Sequence, residues 1–172
     1  MSKQYVVPGS LPIQVIEGVQ QIIAPRNVVS GVTSGTALTL LQTLTIPALA
    51  LEFDGKTIVI FAQGVILGAA GTKRLQVLEG ANVFIDVAGV ATSNAGYLIM
   101  IVITRLTATR YMGSIFIVPN LGYAGGTFGS IYQGQTDITN FNPSNPLTIT
   151  FSGQCTNGAD TITQTCAIPM MI

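Results

Sequence analysis

Apolar residues recur in this chain at every second position and almost nowhere at the three-to-four-residue spacing of a helix. Leu147, Ile149 and Phe151 alternate with Thr148, Thr150 and Ser152, and residues 57–62, 73–78 and 161–166 likewise look like short strands rich in Val, Ile, Thr and Phe. Side chains of an extended chain point alternately to opposite faces, so this period marks strands that are buried on one side. It restricts the chain to all-β architectures.

Strands are expected at residues 38–46, 57–66, 74–79, 82–87, 97–108, 112–118, 147–153 and 161–172. Turn-forming residues separate them: Asp54-Gly55, Glu79-Gly80, Ser93-Asn94-Ala95-Gly96, Asn142-Pro143-Ser144-Asn145-Pro146 and Asn157-Gly158. Eight antiparallel strands suit a jelly-roll sandwich, assigned to residues 37–172. Residues 1–36 differ. They hold Pro8, Pro12 and Pro25, only Lys3, Glu17 and Arg26 as charges, and short alternations such as Leu11, Ile13 and Val15. They read as an N-terminal extended arm ordered by docking, with an extra edge strand as the alternative.

Reactive side chains are scarce. The chain has no His, seven Asp or Glu and seven Lys or Arg, yet it is 48% hydrophobic with zero formal net charge. Acid–base and nucleophilic catalysis draw on the groups that are missing, so no enzyme activity, cofactor or metal is expected. Glu52, Asp54, Glu79 and Asp86 mostly flank turns, where carboxylates solvate loops. Cys155 and Cys166 have no His and no CxxC spacing beside them. Lys73-Arg74 and the pair Arg105, Arg110 are too sparse to track a phosphate backbone, so nucleic acid is not an expected partner. Arg105 reads as an anchor at a strand end or interface, its planar fork gathering carbonyls or a carboxylate. The N-terminus carries no export signal. The uncharged stretches are too short, or too broken by Gly64, Gly68, Gly71 and Thr92-Ser93-Asn94, for a membrane-spanning helix.

A chain with so few charges has little repulsion to keep copies apart. In residues 97–106 both parities are apolar: one presents Tyr97, Ile99, Ile101 and Ile103, the other Leu98, Met100, Val102 and Leu106. One face can line a core and the other needs cover, from a neighbouring subunit or from the chain's own loops. Tyr97, Ile99 and Ile101, with Arg105, are the interface candidates. The Gly-aromatic stretch 122–134 adds Tyr123, Phe128 and Tyr132, as subunit-contact anchors or as platforms for sugar rings, the subunit contact being preferred.

Asn157-Gly158 is expected to close a hairpin in which Cys155 faces Cys166, Phe151 faces Met170 and Ile149 faces Ile172. Directly opposed Cβ atoms lie about 4.5–5.5 Å apart, so the thiols would be neighbours, and a disulfide would need some adjustment. A bulge at Gly153 would instead send Cys155 outward.

From Ala37 onward the chain resembles a jelly-roll domain of tailed-bacteriophage virion proteins. The residues that carry the resemblance are Leu41-Gln42-Thr43-Leu44-Thr45-Ile46-Pro47, Gly55-Lys56-Thr57-Ile58, Ala62-Gln63-Gly64, Lys73-Arg74-Leu75-Gln76-Val77, Ile103-Thr104-Arg105 and Leu147-Thr148-Ile149-Thr150-Phe151-Ser152-Gly153-Gln154. Similar domains often place Trp where this chain has Tyr97. The resemblance implies a virion structural protein, a capsid decoration or cement subunit, as a homotrimer on the major capsid protein or other virion proteins. The alternative it implies is a tail fibre or receptor-binding subunit that contacts host-surface glycan. Assembly in a reducing host cytoplasm would favour two free buried thiols over a disulfide.

Overall fold

A computed structural model describes residues 21–22, 31–33, 36–68, 71–91, 94–119 and 132–172. Among these are eleven strands: β1 (Gln21–Ile22), β2 (Gly31–Thr33), β3 (Thr39–Ile46), β4 (Thr57–Leu67), β5 (Thr72–Glu79), β6 (Asn82–Ala91), β7 (Ala95–Thr107), β8 (Arg110–Pro119), β9 (Tyr132–Ile138), β10 (Leu147–Cys155) and β11 (Thr161–Met171). The larger sheet runs β1-β11-β4-β7-β8-β9, with β2 also on β11, and the smaller runs β3-β10-β5-β6; every pairing is antiparallel.

All eight expected strands are present, most extended by one to four residues. The inward parity of each sheet builds one core that includes Ile46, Ile58, Ile60, Val77, Ile101, Ile115, Ile149 and Phe151. Burying apolar side chains of this size contributes roughly 1.5–3 kcal/mol each, which is what draws the two sheets together.

Three strands lay outside the expectation. β9 begins in the Gly-aromatic stretch and has almost no apolar alternation. Its inward positions are small because β6 passes close by: a Cβ on Gly134 would lie 2.4 Å from the Phe84 carbonyl oxygen, and Thr136 Oγ1 donates to Val83 O at 2.8 Å. β1 and β2 fall within residues 1–36 and pair with β11 at Met170–Met171 and Ile162–Gln164. The rest of that segment lies outside the described residues.

The expected β10–β11 hairpin is corrected. β10 pairs with β3 and β5, whereas β11 pairs with β4, β1 and β2. The Asn157-Gly158 turn therefore carries the chain from one sheet to the other. Cys155 sits opposite Lys73 and Cys166 opposite Gln63. Neither cysteine forms a disulfide, both are buried, and they are not cross-strand neighbours. Register shifts occur in the pairings of both strands, between Phe151 and Ser152 beside Gly153 where β10 meets β3, and between Gln164 and Cys166 where β11 meets β4.

Candidate functional site

β7 settles which of its two apolar faces looks outward. Tyr97, Ile99, Ile101 and Ile103 are at most 1% exposed and line the core, so the first three are not interface residues. Leu98, Met100 and Val102 occupy the outer face, half-buried. The ladders continue that face sideways. Ile168 of β11, Phe61 of β4, Met100 of β7 and Phe116 of β8 form one cross-strand row, and Met170, Val59 and Val102 form the next. Leu98 and Val118 add a third contact. No outward position of β4 or β7 is charged. The result is a broad apolar field on four adjacent strands, and no other described strand lies across it. The sequence reading found the doubly apolar strand but missed Phe61, Phe116 and Ile168, because their alignment with Met100 depends on register.

Tyr97 has a structural task. Its hydroxyl donates to Gln164 Oε1 at 2.9 Å, and Gln164 Nε2 donates to Cys166 O at 2.9 Å, which stitches the irregular part of β11. Gly64 makes room: a Cβ there would lie 2.3 Å from the phenol oxygen. Burial pushes the Tyr97 phenol far up from its ordinary value, so it stays neutral and donates at physiological pH.

Two cations brace opposite ends of the sandwich. Arg105, 7% exposed, donates from Nε to Thr107 O at 3.0 Å and from a terminal nitrogen to Leu51 O at 2.8 Å, and forms an ion pair with Asp54, whose Oδ1 lies 2.9 Å from Nε. It is the strand-end anchor its position suggested, and it gathers the β3–β4 loop. At the other end Lys73 Nζ donates to Gly68 O at 2.8 Å, Gly71 O at 2.7 Å and Asp160 Oδ2 at 2.8 Å. Both side chains of this ion pair are 1% exposed. Asp160 also accepts from Gly71 N at 2.9 Å, tying the β4–β5 corner to the β10–β11 turn. Burial and the nearby Asp160 carboxylate push the Cys155 thiol up, with Lys73 acting the other way; a neutral, buried thiol is a poor nucleophile.

The remaining candidates are dispersed. Glu52 pairs with Lys56 at 3.0 Å, and Glu79 accepts from Asn82 at 2.8 Å. Hydrogen bonds from Arg74 hold the Asp86 carboxyl below the usual carboxylate range. Among the described residues no three His, Cys, Asp or Glu side chains converge on a metal-sized site. Tyr123 and Phe128 lie outside the described residues, and Tyr132 is placed only as the first residue of β9. An open cleft of about 420 Å³ lies between residues 79–82, Tyr111 and the 137–147 segment.

No protein-family model matches the chain, and no curated protein matches its sequence. Among solved structures, it is similar to the CBM2 module of Lactobacillus casei BL23 phage J-1 evolved Dit, at 10% identity and a TM-score of 0.28 over 74% of this chain and 67% of that one. A likeness of that depth carries no argument about role.

Proposed function

We propose that this chain is a virion structural subunit: a jelly roll that assembles as a homotrimer through the outer face of its larger sheet and cements or decorates a phage head. The observation that carries the reading is the uncharged apolar field of Ile168, Phe61, Met100 and Phe116, with Val59, Val102 and Leu98 around it. Fields of this kind on soluble subunits mark association surfaces. A standard interface of about 1,600 Å² at roughly 25 cal/mol per Å² has ample gross driving force to outweigh the entropy lost on association. Contacts repeated over a capsid lattice then add by avidity.

The strand order supports the jelly-roll assignment. With β8 and β9 set aside as an added hairpin, first pairs with last (β1 and β2 with β11), second with second-last (β3 with β10), and β4–β7 and β5–β6 nest inside. That is the winding of an eight-stranded roll. The phage context rests on the motif resemblance in residues 41–47, 55–58, 62–64, 73–77, 103–105 and 147–154.

Light scattering after size exclusion tests the assembly: about three chains of 18.0 kDa are expected, insensitive to salt because few ion pairs are available to screen. Met100→Asp should give a folded monomer, since an unpaired charge in a buried apolar interface is strongly unfavourable. A wild-type monomer overturns the reading. Retention on purified phage heads tests the cement role, and failure to bind them while remaining a trimer removes that part alone.

A further inference from the structure

The geometry points to a binding site for a neutral carbohydrate, a mono- or disaccharide, in the cleft at the Arg105 end. Its volume of about 420 Å³ falls within the range of about 300–1,000 Å³ typical of small-molecule sites. The floor is apolar. Tyr111 and Phe141 meet edge to face with centroids 5.1 Å apart, and Leu147 is buried beside them. The rim is polar, with the side-chain amides of Asn140, Asn142 and Asn145 exposed around it.

Ligand class follows by elimination. Among the described residues no Lys, Arg or His lines the cleft, and two carboxylates do, so phosphates and other anions are repelled. Those carboxylates are already engaged: Arg110 Nε donates to both Asp137 oxygens at 2.8 and 3.0 Å, and Asn82 Nδ2 donates to Glu79 Oε2 at 2.8 Å. They leave no converging pair for a cation. A wholly apolar ligand would strand the amide rim without partners. A pyranose ring fits all three constraints, because it sets C–H faces on an apolar floor while its hydroxyls both donate to carboxylate oxygens and accept from amides.

A second observation stands at the floor. Tyr111 is 1% exposed, and its hydroxyl faces the Glu79 carboxylate without a hydrogen bond of good geometry. Buried hydroxyls are normally well satisfied, so a poorly paired one in a cleft wall leaves hydrogen-bonding capacity for an occupant. Burial, and then the facing Glu79 carboxylate, push the phenol up, which keeps it a donor.

The test is a titration of the full chain, followed by amide NMR, with the methyl glycosides of glucose, galactose, mannose and N-acetylglucosamine and with lactose. At least one sugar should shift the amides of residues 79–82 and 137–147 saturably at millimolar concentration. N140A/N145A should weaken that sugar roughly tenfold, and Tyr111→Phe should weaken it severalfold without lowering the melting temperature, because the hydroxyl it removes is poorly paired. The inference is overturned if none of the five sugars gives saturable shifts, if shifts fall outside the cleft, if sodium phosphate or arginine hydrochloride saturates it instead, or if N140A/N145A binds as tightly as wild type.

Discussion

The two ends of the sandwich meet the same demand in different ways. Each has loop carbonyls that turn inward at a strand end, and each gathers them with one cation and one aspartate. At the Lys73 end both partners are sealed, 1% exposed on either side. At the Arg105 end the cation is sealed but its aspartate is not, with side-chain exposures of 8% and 61%. A sealed pair interacts strongly because little water screens it, and losing either partner strands a charge. The half-open pair leaves its carboxylate to solvent, so its cohesion comes from Arg105 donating to Leu51 O and Thr107 O. The lesson is that the same residue classes carry very different weight, depending on which partner can return to water.

That contrast can be broken by mutation. Lys73→Met should be the most damaging change, about 3–5 kcal/mol, since it leaves Asp160 buried without its counter-charge; urea unfolding measures it. K73M/D160L should recover only part of the loss, because the Gly68 and Gly71 carbonyls and the Gly71 N–H still lack their side-chain partners. Full recovery would mean that the pair contributes charge alone. Arg105→Met should cost about 1.5–3 kcal/mol in the same assay, the scale for hydrogen bonds from a charged donor to two buried carbonyls. Asp54→Asn should change stability by about 0.5 kcal/mol or less, as exposed ion pairs do, and a larger loss would erase the distinction between the ends.

The smallest effect lies away from both ends. Arg74 depresses the Asp86 carboxyl below its ordinary value of 3.8. A carboxyl whose folded value is lowered stabilises the fold above the unfolded value and loses that contribution as pH falls from about 3.8 through the depressed one. Asp86→Asn should therefore lower the melting temperature slightly in the neutral region and converge with wild type below about pH 4, flattening the acid limb there.

Much of the architecture was legible because period-two alternation reports strands directly, as in residues 147–152, and because runs rich in Val, Ile and Thr between turn residues mark others, such as 57–67 and 95–107. The face of β7 was not legible, since Tyr97, Ile99 and Ile101 are no more apolar in pattern than Leu98, Met100 and Val102. Only the packing of the second sheet separates them. Asn157-Gly158 announced that the chain reverses, but a reversal inside one sheet and a crossing between two look the same in sequence. β9 was hidden because Gly134 and Thr136 are small for lack of space beside Phe84, and the Gln and Asp residues between them look like loop. The Lys73–Asp160 pair joins residues far apart along the chain, and nothing near either position points to the other. The cleft is likewise assembled from three separated segments.

The nested strand order also sets a timetable. β5 and β6 can close as soon as both exist, but β3 must wait for β10, and residues 21–22 and 31–33 pair with β11, the last of the described strands. Those two short strands therefore wait for β11 to be made, and closures between segments so far apart in sequence make folding slow. Until β11 arrives, one edge of β4 stays open beside the apolar row that includes Phe61, so newly made copies are most prone to mispair at the ribosome exit. After β11 is inserted between β4 and residues 21–22 and 31–33, it is held on both sides, and that edge of β4 is closed.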